Sequence, residues 1–141
     1  MAVILSAEPW LADKSIAEGN SLAATLVTLV DDIFFLAKIR ETAKAIGVTV
    51  VAGHPRLGTA GIAEANPQAV IMDLNSRSLA PIDLIRSLKA DPATSPIRII
   101  AFVSHVEEKL IADARAAGCD AVMARSAFTQ QLPNLLRSLV I

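Results

Sequence analysis

The sequence predicts an α/β fold in which one parallel sheet carries helices on both of its faces. Five short apolar runs, rich in Val and Ile, begin near residues 26, 48, 69, 97 and 121. A segment with helical spacing of apolar residues follows each run, and strict alternation of strands and helices is typical of parallel sheets with right-handed crossovers. The chain is 53% hydrophobic and 19% charged, which suits a single domain of 141 residues with a sizeable core.

The third run is the centre of this prediction. Residues 69–72 are apolar without a break, and the run then stops at Asp73. A continuous apolar run fits a strand buried on both faces, as in a parallel sheet covered by helices. Open α/β sheets place their ligand sites at the carboxyl ends of strands, so Asp73 is a candidate site residue. The other predicted strands are residues 26–30, 48–52, 97–103 and 121–124.

Each predicted helix has an apolar stripe and a start or stop signal. Gly47 and Gly118 end the first and fourth helices, and Pro81 begins the third. The second, over residues 56–64, contains two glycines and should be short. Pro133 in the last helix marks a late start or a kink. The predicted buried stripes are Leu36, Ile39, Ala43 and Ile46 (helix 33–46), Ile82, Ile85 and Leu88, Val106, Leu110, Ala114 and Ala117 (helix 106–117), and Phe128, Leu132, Leu135 and Leu139.

The first 24 residues do not follow this alternation. We predict an N-terminal extension over residues 1–24 and one domain over residues 25–141. The extension is either a tail or a short helix begun by Ser6 and Pro9. A third alternative is a contact between two copies of the chain through Trp10, which would make a homodimer.

Composition argues against several functional classes. Thirteen basic and fourteen acidic residues give a net charge of -1, and no basic run occurs, so we expect no DNA or RNA binding by this chain. No apolar segment is long enough to span a membrane, and the start lacks a secretory signal pattern, so we expect a cytoplasmic protein without membrane contact. Cys119, the only cysteine, is expected to be a small buried residue.

Polar residues stand at the carboxyl ends of four predicted strands. In a flavodoxin-like sheet of order 2-1-3-4-5, strand one lies beside strand three, at about 4.8 Å. The carboxylates that follow these two strands should therefore meet at one edge of the sheet. The candidate residues at the four strand ends are Asp31 and Asp32, Asp73 with Asn75, Ser104, and Arg125.

Three neighbouring carboxylates repel one another unless a cation neutralises them. Mg²⁺ prefers oxygen ligands, so one prediction is a metal site made by Asp31, Asp32, Asp73 and the backbone carbonyl of Asn75. The alternative is an internal cation, for which Arg125 is the first candidate and Arg77 the second.

Two of these residues also have a purely structural interpretation. Asp32 directly precedes the first helix, and Ser104 precedes the fourth. Asp and Ser are common helix N-caps, so each residue is also a candidate for that role alone. The functional interpretation depends on the joint pattern at four strand ends.

Residues 25–140 resemble the receiver domain of bacterial response regulators. Order, spacing and strand-end placement of the motifs all agree with that family. The matching motifs are Leu-Val-Asp31-Asp32, Val-Ile-Met-Asp73-Leu-Asn75, Phe-Val-Ser104-His, Ala-Ala-Gly118-Cys-Asp and Ala-Arg125-Ser-Ala-Phe128.

This resemblance implies a function in two-component signal transduction. Asp73 would accept a phosphoryl group from a sensor histidine kinase or phosphotransfer protein, while Asp31 and Asp32 would bind Mg²⁺. Ser104 would hydrogen-bond the phosphoryl group, and Arg125 takes the place of a family lysine that contacts it. Such a module is not an enzyme beyond its own phosphorylation and dephosphorylation. Its output would pass to a downstream protein through the last two helices and strand five.

Two alternatives to a phosphorylated receiver stand beside it. One is a pseudo-receiver, a protein-interaction module of the same fold in which Arg125 neutralises the acidic pocket without metal. The other is a flavin carrier, which would need a loop rich in Ser, Thr and Gly after strand one. The acidic and bulky residues 31–34 argue against the flavin carrier.

Overall fold

The computed structural model describes residues 24–140, and within them five strands alternate with five helices. All neighbouring strands are parallel, and their order across the sheet is 2-1-3-4-5. The predicted fold class and strand order are confirmed. The strands are β1 Ala24–Leu29, β2 Val48–Ala52, β3 Ala69–Asp73, β4 Arg98–Val103 and β5 Ala121–Ala124.

The helices cover both faces of the sheet, as the alternation predicts. Their bounds are α1 Ile33–Ile46, α2 Gly58–Ala65, α3 Pro81–Ala90, α4 Glu108–Ala117 and α5 Arg125–Arg137. One core lies under α1 and α5, and a second lies under α2, α3 and α4. Successive strand residues point to opposite faces, so Leu26 joins the first core and Val27 the second.

β3 is buried on both faces, which explains its uninterrupted apolar sequence. Residues 69–72 are at most 1% exposed. β3 pairs with β1 on one side and β4 on the other, so its only polar residue, Asp73, stands at the carboxyl edge of the sheet. β3, the run at the centre of the prediction, is the middle strand of the sheet.

The helix ends follow the predicted signals. Gly47 and Gly118 end α1 and α4 with φ angles of 95° and 110°, in the left-handed region that favours glycine. Pro81 occupies the first turn of α3. α2 has eight residues, so it is short as expected, although it begins at Gly58 and not at residue 56.

Three predicted stripes are wrong in detail. In α1, Phe35 and not Leu36 is buried together with Ile39 and Ala43. α4 begins at Glu108, so Val106 lies in the preceding loop and its side chain is 70% exposed. In α5, Leu136 joins Phe128 and Leu132 in the core, because four-residue spacing keeps these side chains on one face. Leu135 is only partly buried beside them. Pro133 lies inside α5, which continues to Arg137.

The predicted extension, residues 1–24, lies almost entirely outside the described residues. Ala24 belongs to β1, so the first strand begins one residue before the predicted domain boundary. The tail, helix and Trp10 interpretations concern residues 1–23 and stay predictions. Within residues 24–140, no helix is both long and apolar enough to cross a membrane.

Candidate functional site

Asp73 lies half-buried at the carboxyl end of β3. Its Oδ1 accepts a hydrogen bond from the Asn75 backbone N–H at 2.9 Å. Burial raises the pKa of this carboxyl above its ordinary value, and the neighbouring charges of Asp31 and Asp32 act in the same direction. The three predicted carboxylates therefore share one edge of the sheet, as their strand-end positions indicate.

Asp32 both caps α1 and pairs with a cation. Its Oδ1 accepts hydrogen bonds from the backbone N–H groups of Phe34 and Phe35, so the capping interpretation is confirmed. Its Oδ2 accepts a hydrogen bond from Arg125 Nη2 at 2.9 Å. The Arg125 guanidinium beside Asp32 lowers the pKa of this carboxyl, and the two backbone donors add to the effect.

Arg125 is held in place by an aromatic contact as well as by its ion pair. It is the first residue of α5, and its guanidinium carbon lies 4.0 Å from the centroid of the Phe35 ring. Phe35, Phe102 and Phe128 form a cluster with centroid separations of 4.9–5.8 Å. This cluster gives the guanidinium a rigid surface on which to stack. Arg125 forms its ion pair with Asp32. Among the residues that the structure describes, no salt bridge joins Arg125 to Asp73.

Asp31 is held by two serines that sequence reasoning missed. Ser76 Oγ donates to Asp31 Oδ2 at 2.7 Å, and Ser78 Oγ donates to Asp31 Oδ1 at 2.9 Å. Both serines lie in the loop between β3 and α3, within five residues of Asp73. The only signal in the sequence was their alternation in a polar loop directly after the central strand.

Asn75 joins two loops of the site through its side chain. Its Oδ1 accepts hydrogen bonds from the backbone N–H groups of Ser104 and His105, at 2.7 and 3.2 Å. This contact fixes the end of β4 against the end of β3. The predicted metal role of the Asn75 backbone carbonyl is untested by this contact and stays a prediction.

Ser104 is exposed and does not cap α4. The N-cap position of that helix is Glu107, which makes no side-chain capping hydrogen bond. The capping interpretation of Ser104 is therefore wrong, because α4 begins later than predicted. The Ser104 hydroxyl is left at the same edge of the sheet as Asp73.

The donor types at this edge suit Mg²⁺, but their present contacts do not form an ion cage. Carboxylate oxygens are ligands that Mg²⁺ prefers. Both oxygens of Asp31 and both of Asp32 accept hydrogen bonds within the protein. Within residues 24–140, no group of three or more His, Cys, Asp or Glu side chains is arranged to hold a metal ion. The predicted metal set thus stays a prediction.

Exposed apolar side chains lie on two sides of Asp73. Ile33 and Phe34, which follow Asp32, are 71% and 83% exposed, and Val106 beyond β4 is 70% exposed. We call the carboxyl edge of the sheet around Asp31, Asp32 and Asp73 the acidic edge. Its apolar rim is the set Ile33, Phe34 and Val106.

Comparison with solved structures decides the fold family. No protein-family model matches the sequence, and no curated protein matches it. Vibrio cholerae chemotaxis protein CheY4 superposes with a TM-score of 0.71 at 14% identity, over 83% of this chain and 98% of that one. The chain has the fold of a response-regulator receiver domain.

Two further structures with the receiver fold are similar to this chain. The phosphorylated cyanobacterial phytochrome response regulator RcpA superposes with a TM-score of 0.67 at 17% identity, covering 82% of this chain and 90% of RcpA. The Mn²⁺-bound response regulator Rcp1 gives 0.63 at 14% identity, with the same coverage. At these identities the likeness concerns the receiver fold alone.

Proposed function

We propose that this chain is a signal-transduction receiver module that accepts a phosphoryl group on Asp73. The proposal rests on one observation, the hydrogen bonding of the two oxygens of the Asp73 carboxylate. One oxygen is oriented by the Asn75 N–H, and no hydrogen bond from the described residues reaches the other. An oriented carboxylate with one unengaged oxygen, at the carboxyl edge of a parallel sheet, suits nucleophilic attack on phosphorus.

The proposed donor is a phosphohistidine on a histidine-kinase-type partner or a phosphotransfer protein. An Asp73 oxygen would form a P–O bond while the P–N bond to the imidazole breaks, and the leaving imidazole would take a proton. The solved structures that are similar to this chain include the phosphorylated regulator RcpA and the Mn²⁺-bound regulator Rcp1. These states belong to those proteins and support the proposal only by likeness of fold.

Residues of this chain would bind and orient the incoming group. The Arg125 guanidinium is a fixed positive charge beside Asp32, and the Ser104 hydroxyl is an exposed donor at the same edge. Asp31, Asp32 and Asp73 would hold Mg²⁺, which would offset the charge on the phosphoryl oxygens. The apolar rim offers contact area for a donor protein on both sides of Asp73. The output would pass through α4, β5 and α5.

Intact-mass spectrometry after incubation with acetyl phosphate and MgCl₂ tests this proposal. We expect wild type to gain the mass of one phosphoryl group. Asp73→Asn should gain none, because the neutral amide has the same shape but is a far weaker nucleophile than the carboxylate. An unmodified wild type, or an adduct that persists in Asp73→Asn, would contradict the proposal.

A pseudo-receiver is the second candidate, and the Arg125–Asp32 contact favours it. The guanidinium already neutralises one carboxylate of the predicted metal set and stacks on Phe35. In that case the protein would act through its surface alone. The same experiment separates the candidates: a pseudo-receiver would acquire no adduct, and MgCl₂ would not shift the NMR signals of Asp31 and Asp73.

A further inference from the structure

The outer side of β2 carries unpaired backbone groups. β2 pairs with β1, and among residues 24–140 no strand lies on its other side. The Gly53 N–H donates to the Thr28 carbonyl at 2.8 Å, in register with the pairing of the two strands. Because hydrogen bonding alternates along a parallel strand, the odd-numbered residues of β2 face β1. The residues whose N–H and C=O groups point away from the sheet are Val48, Val50 and Ala52.

The sequence of β2 does not protect this edge from pairing with a further strand. Natural edge strands avoid such pairing through charged side chains, proline, bulges or short length. β2 has the sequence Val-Thr-Val-Val-Ala, with no charge and no proline, and Val50 and Val51 are only partly buried. β5, the other edge strand, is shorter and lies between Asp120 and Arg125. Of the two edges, β2 is therefore the one open to another strand.

The open edge of β2 is complementary to itself. In an antiparallel sheet, two opposite residues of a hydrogen-bonded pair exchange both of their N–H···O bonds. A two-fold axis at Val50 places this residue opposite Val50 of a second copy, and it places Val48 opposite Ala52. All outward groups of both strands are then paired, as three residue pairs with two hydrogen bonds each. No other register of two antiparallel β2 strands pairs all of these groups.

The side chains of β2 suit the same arrangement. Val50 would contact Val50 on one face of the sheet, and Thr49 would lie opposite Val51 on the other. Cross-strand pairs of β-branched residues are favourable, and no like charges stand opposite each other within the two strands. Beyond the strand ends, Gly47 would lie opposite Gly53, so no side chain separates the backbones there.

We infer that two copies of this chain associate through antiparallel pairing of their β2 edges, which joins their two sheets into one. The two copies use the same surface, so the assembly closes as a dimer. A single strand pair gives a small interface, and we expect a dissociation constant of about 1 mM or below. In more dilute solution β2 is an ordinary edge strand.

This dimer leaves the surface proposed for output free. β5 lies at the opposite edge of each sheet, so α4, β5 and α5 of the two copies would lie at the two ends of the joined sheet. The paired strands are antiparallel, so the acidic edges of the two copies would point in opposite directions. The dimer would therefore present the output surface twice. The inference does not depend on phosphorylation of Asp73.

Sedimentation equilibrium over a series of protein concentrations tests for the dimer. Wild type should follow a monomer–dimer equilibrium. Val50→Pro should dimerise about tenfold more weakly or less, because it removes one outward N–H from each copy and puts the proline ring into the interface. Proline is tolerated in an edge strand where the N–H faces solvent, so pairing with β1 should persist. Val50→Thr keeps the N–H and a β-branched side chain, so it should dimerise as wild type does.

Hydrogen exchange of wild type, followed by NMR at low and high protein concentration, locates the interface without any substitution. The outward amides of β2 should become more protected as the concentration rises, because they are paired only in the dimer. The amide of Val122 in β5 is the internal control and should not change. Thermal unfolding of the two Val50 variants establishes that each one is folded. The outward amides are those of Val48, Val50 and Ala52.

Four results would overturn the inference. Wild type could stay monomeric up to about 1 mM. It could dimerise without a change in the outward amides of β2, which would place the interface on another face. These amides could be equally protected at all concentrations, which would mean that residues 1–23 or another part of the same chain cover the edge. Lastly, folded Val50→Pro could dimerise as tightly as wild type.

Discussion

At the scale of single residues, Asp32 connects the start of α1 with the start of α5. The Arg125 guanidinium and the N-terminal amides of α1 lower the pKa of its carboxyl. Because the folded-state pKa lies below the unfolded-state value, ionised Asp32 stabilises the folded chain at neutral pH. This stabilisation is present above the ordinary pKa, near 3.8, and is lost as the pH falls through the lower folded-state pKa.

Asp32→Asn should therefore be less stable than wild type at pH 7 and equally stable at strongly acidic pH. Asn is also a good N-cap, so the substitution removes the charge while leaving the cap. Urea unfolding at a series of pH values measures the difference. Asp113→Asn, in an exposed helical ion pair with Lys109, is the matched control and should show almost no difference at any pH. A difference for Asp32→Asn that does not change with pH would contradict this account.

Asp73 shows the opposite behaviour with the same side chain. Its carboxyl is half-buried and has two acidic neighbours, so its pKa is raised, whereas the pKa of Asp32 is lowered by Arg125. The acidic edge therefore contains one stabilised carboxylate, at the start of α1, and one destabilised carboxylate, at the end of β3.

At the scale of elements, Lys89 ties α3 to the amino edge of the sheet. Its ammonium group donates to the carbonyls of Ser95 and Ile97 and to Asp120 Oδ2, at 2.9–3.2 Å. The same Asp120 oxygen accepts the Ile99 backbone N–H. The aliphatic part of the Lys89 side chain lies against Gly118, where an added Cβ would be 2.9 Å from Lys89 Cγ.

Lys89→Met should lower the free energy of unfolding by about 2 kcal/mol, because hydrogen bonds to a charged group contribute about 1.5–3 kcal/mol and the carbonyls of Ser95 and Ile97 lose their charged donor. Met keeps the length of the apolar stem. Urea unfolding of Lys38→Met, an exposed residue of α1, provides the control and should give a change of a few tenths of a kcal/mol. A similar loss in both variants would show that the Lys89 contacts contribute nothing specific.

The elements themselves were predictable, and the contacts between loops were not. Burial on both faces makes residues 69–72 an uninterrupted apolar run, and burial of one helix face gives Ile39 and Ala43 their helical spacing. α4 begins two residues later than predicted, because Val106 fits the apolar spacing of the helix but lies in the preceding loop. Helix boundaries depend on local capping, which periodicity does not record.

The sequence predicts which strand ends form the candidate site. It does not predict which side chains pair with one another there. Asp31, Asp32 and Asp73 meet because β1 and β3 are neighbours, which follows from the strand order. That Arg125 pairs with Asp32 depends on the position of Phe35, and the contact of Ser76 and Ser78 with Asp31 depends on the path of one loop. Such choices among nearby polar groups depend on loop paths and side-chain conformations, which the apolar pattern of the sequence does not record.

At the scale of the whole molecule, stability should be greatest in the three middle strands. β3 is paired on both sides and buried on both faces, whereas β5 lies at the edge of the sheet and its residues 121–123 are only partly buried. We expect the amides of Val70 and Ile71 to exchange only on global unfolding. Those of β5 should exchange by local opening, with lower protection.

Hydrogen exchange followed by NMR measures this order. The protection of β3 should match the free energy of unfolding obtained from urea denaturation, since both report the same global transition. β2, the opposite edge strand, serves as the internal control and should resemble β5. Equal protection across all five strands would contradict the expected hierarchy.

The aromatic cluster beneath Arg125 has a consequence for observing the protein. The chain contains four phenylalanines. Phe35 lies against the guanidinium, Phe102 and Phe128 pack edge-on or tilted against Phe35 and each other, and Phe34 is exposed two residues after Asp32. Fluorinated phenylalanine would therefore give four resonances, all from one end of the molecule. A fluorine spectrum of the labelled chain would report on the acidic edge with no background from the remainder of the fold.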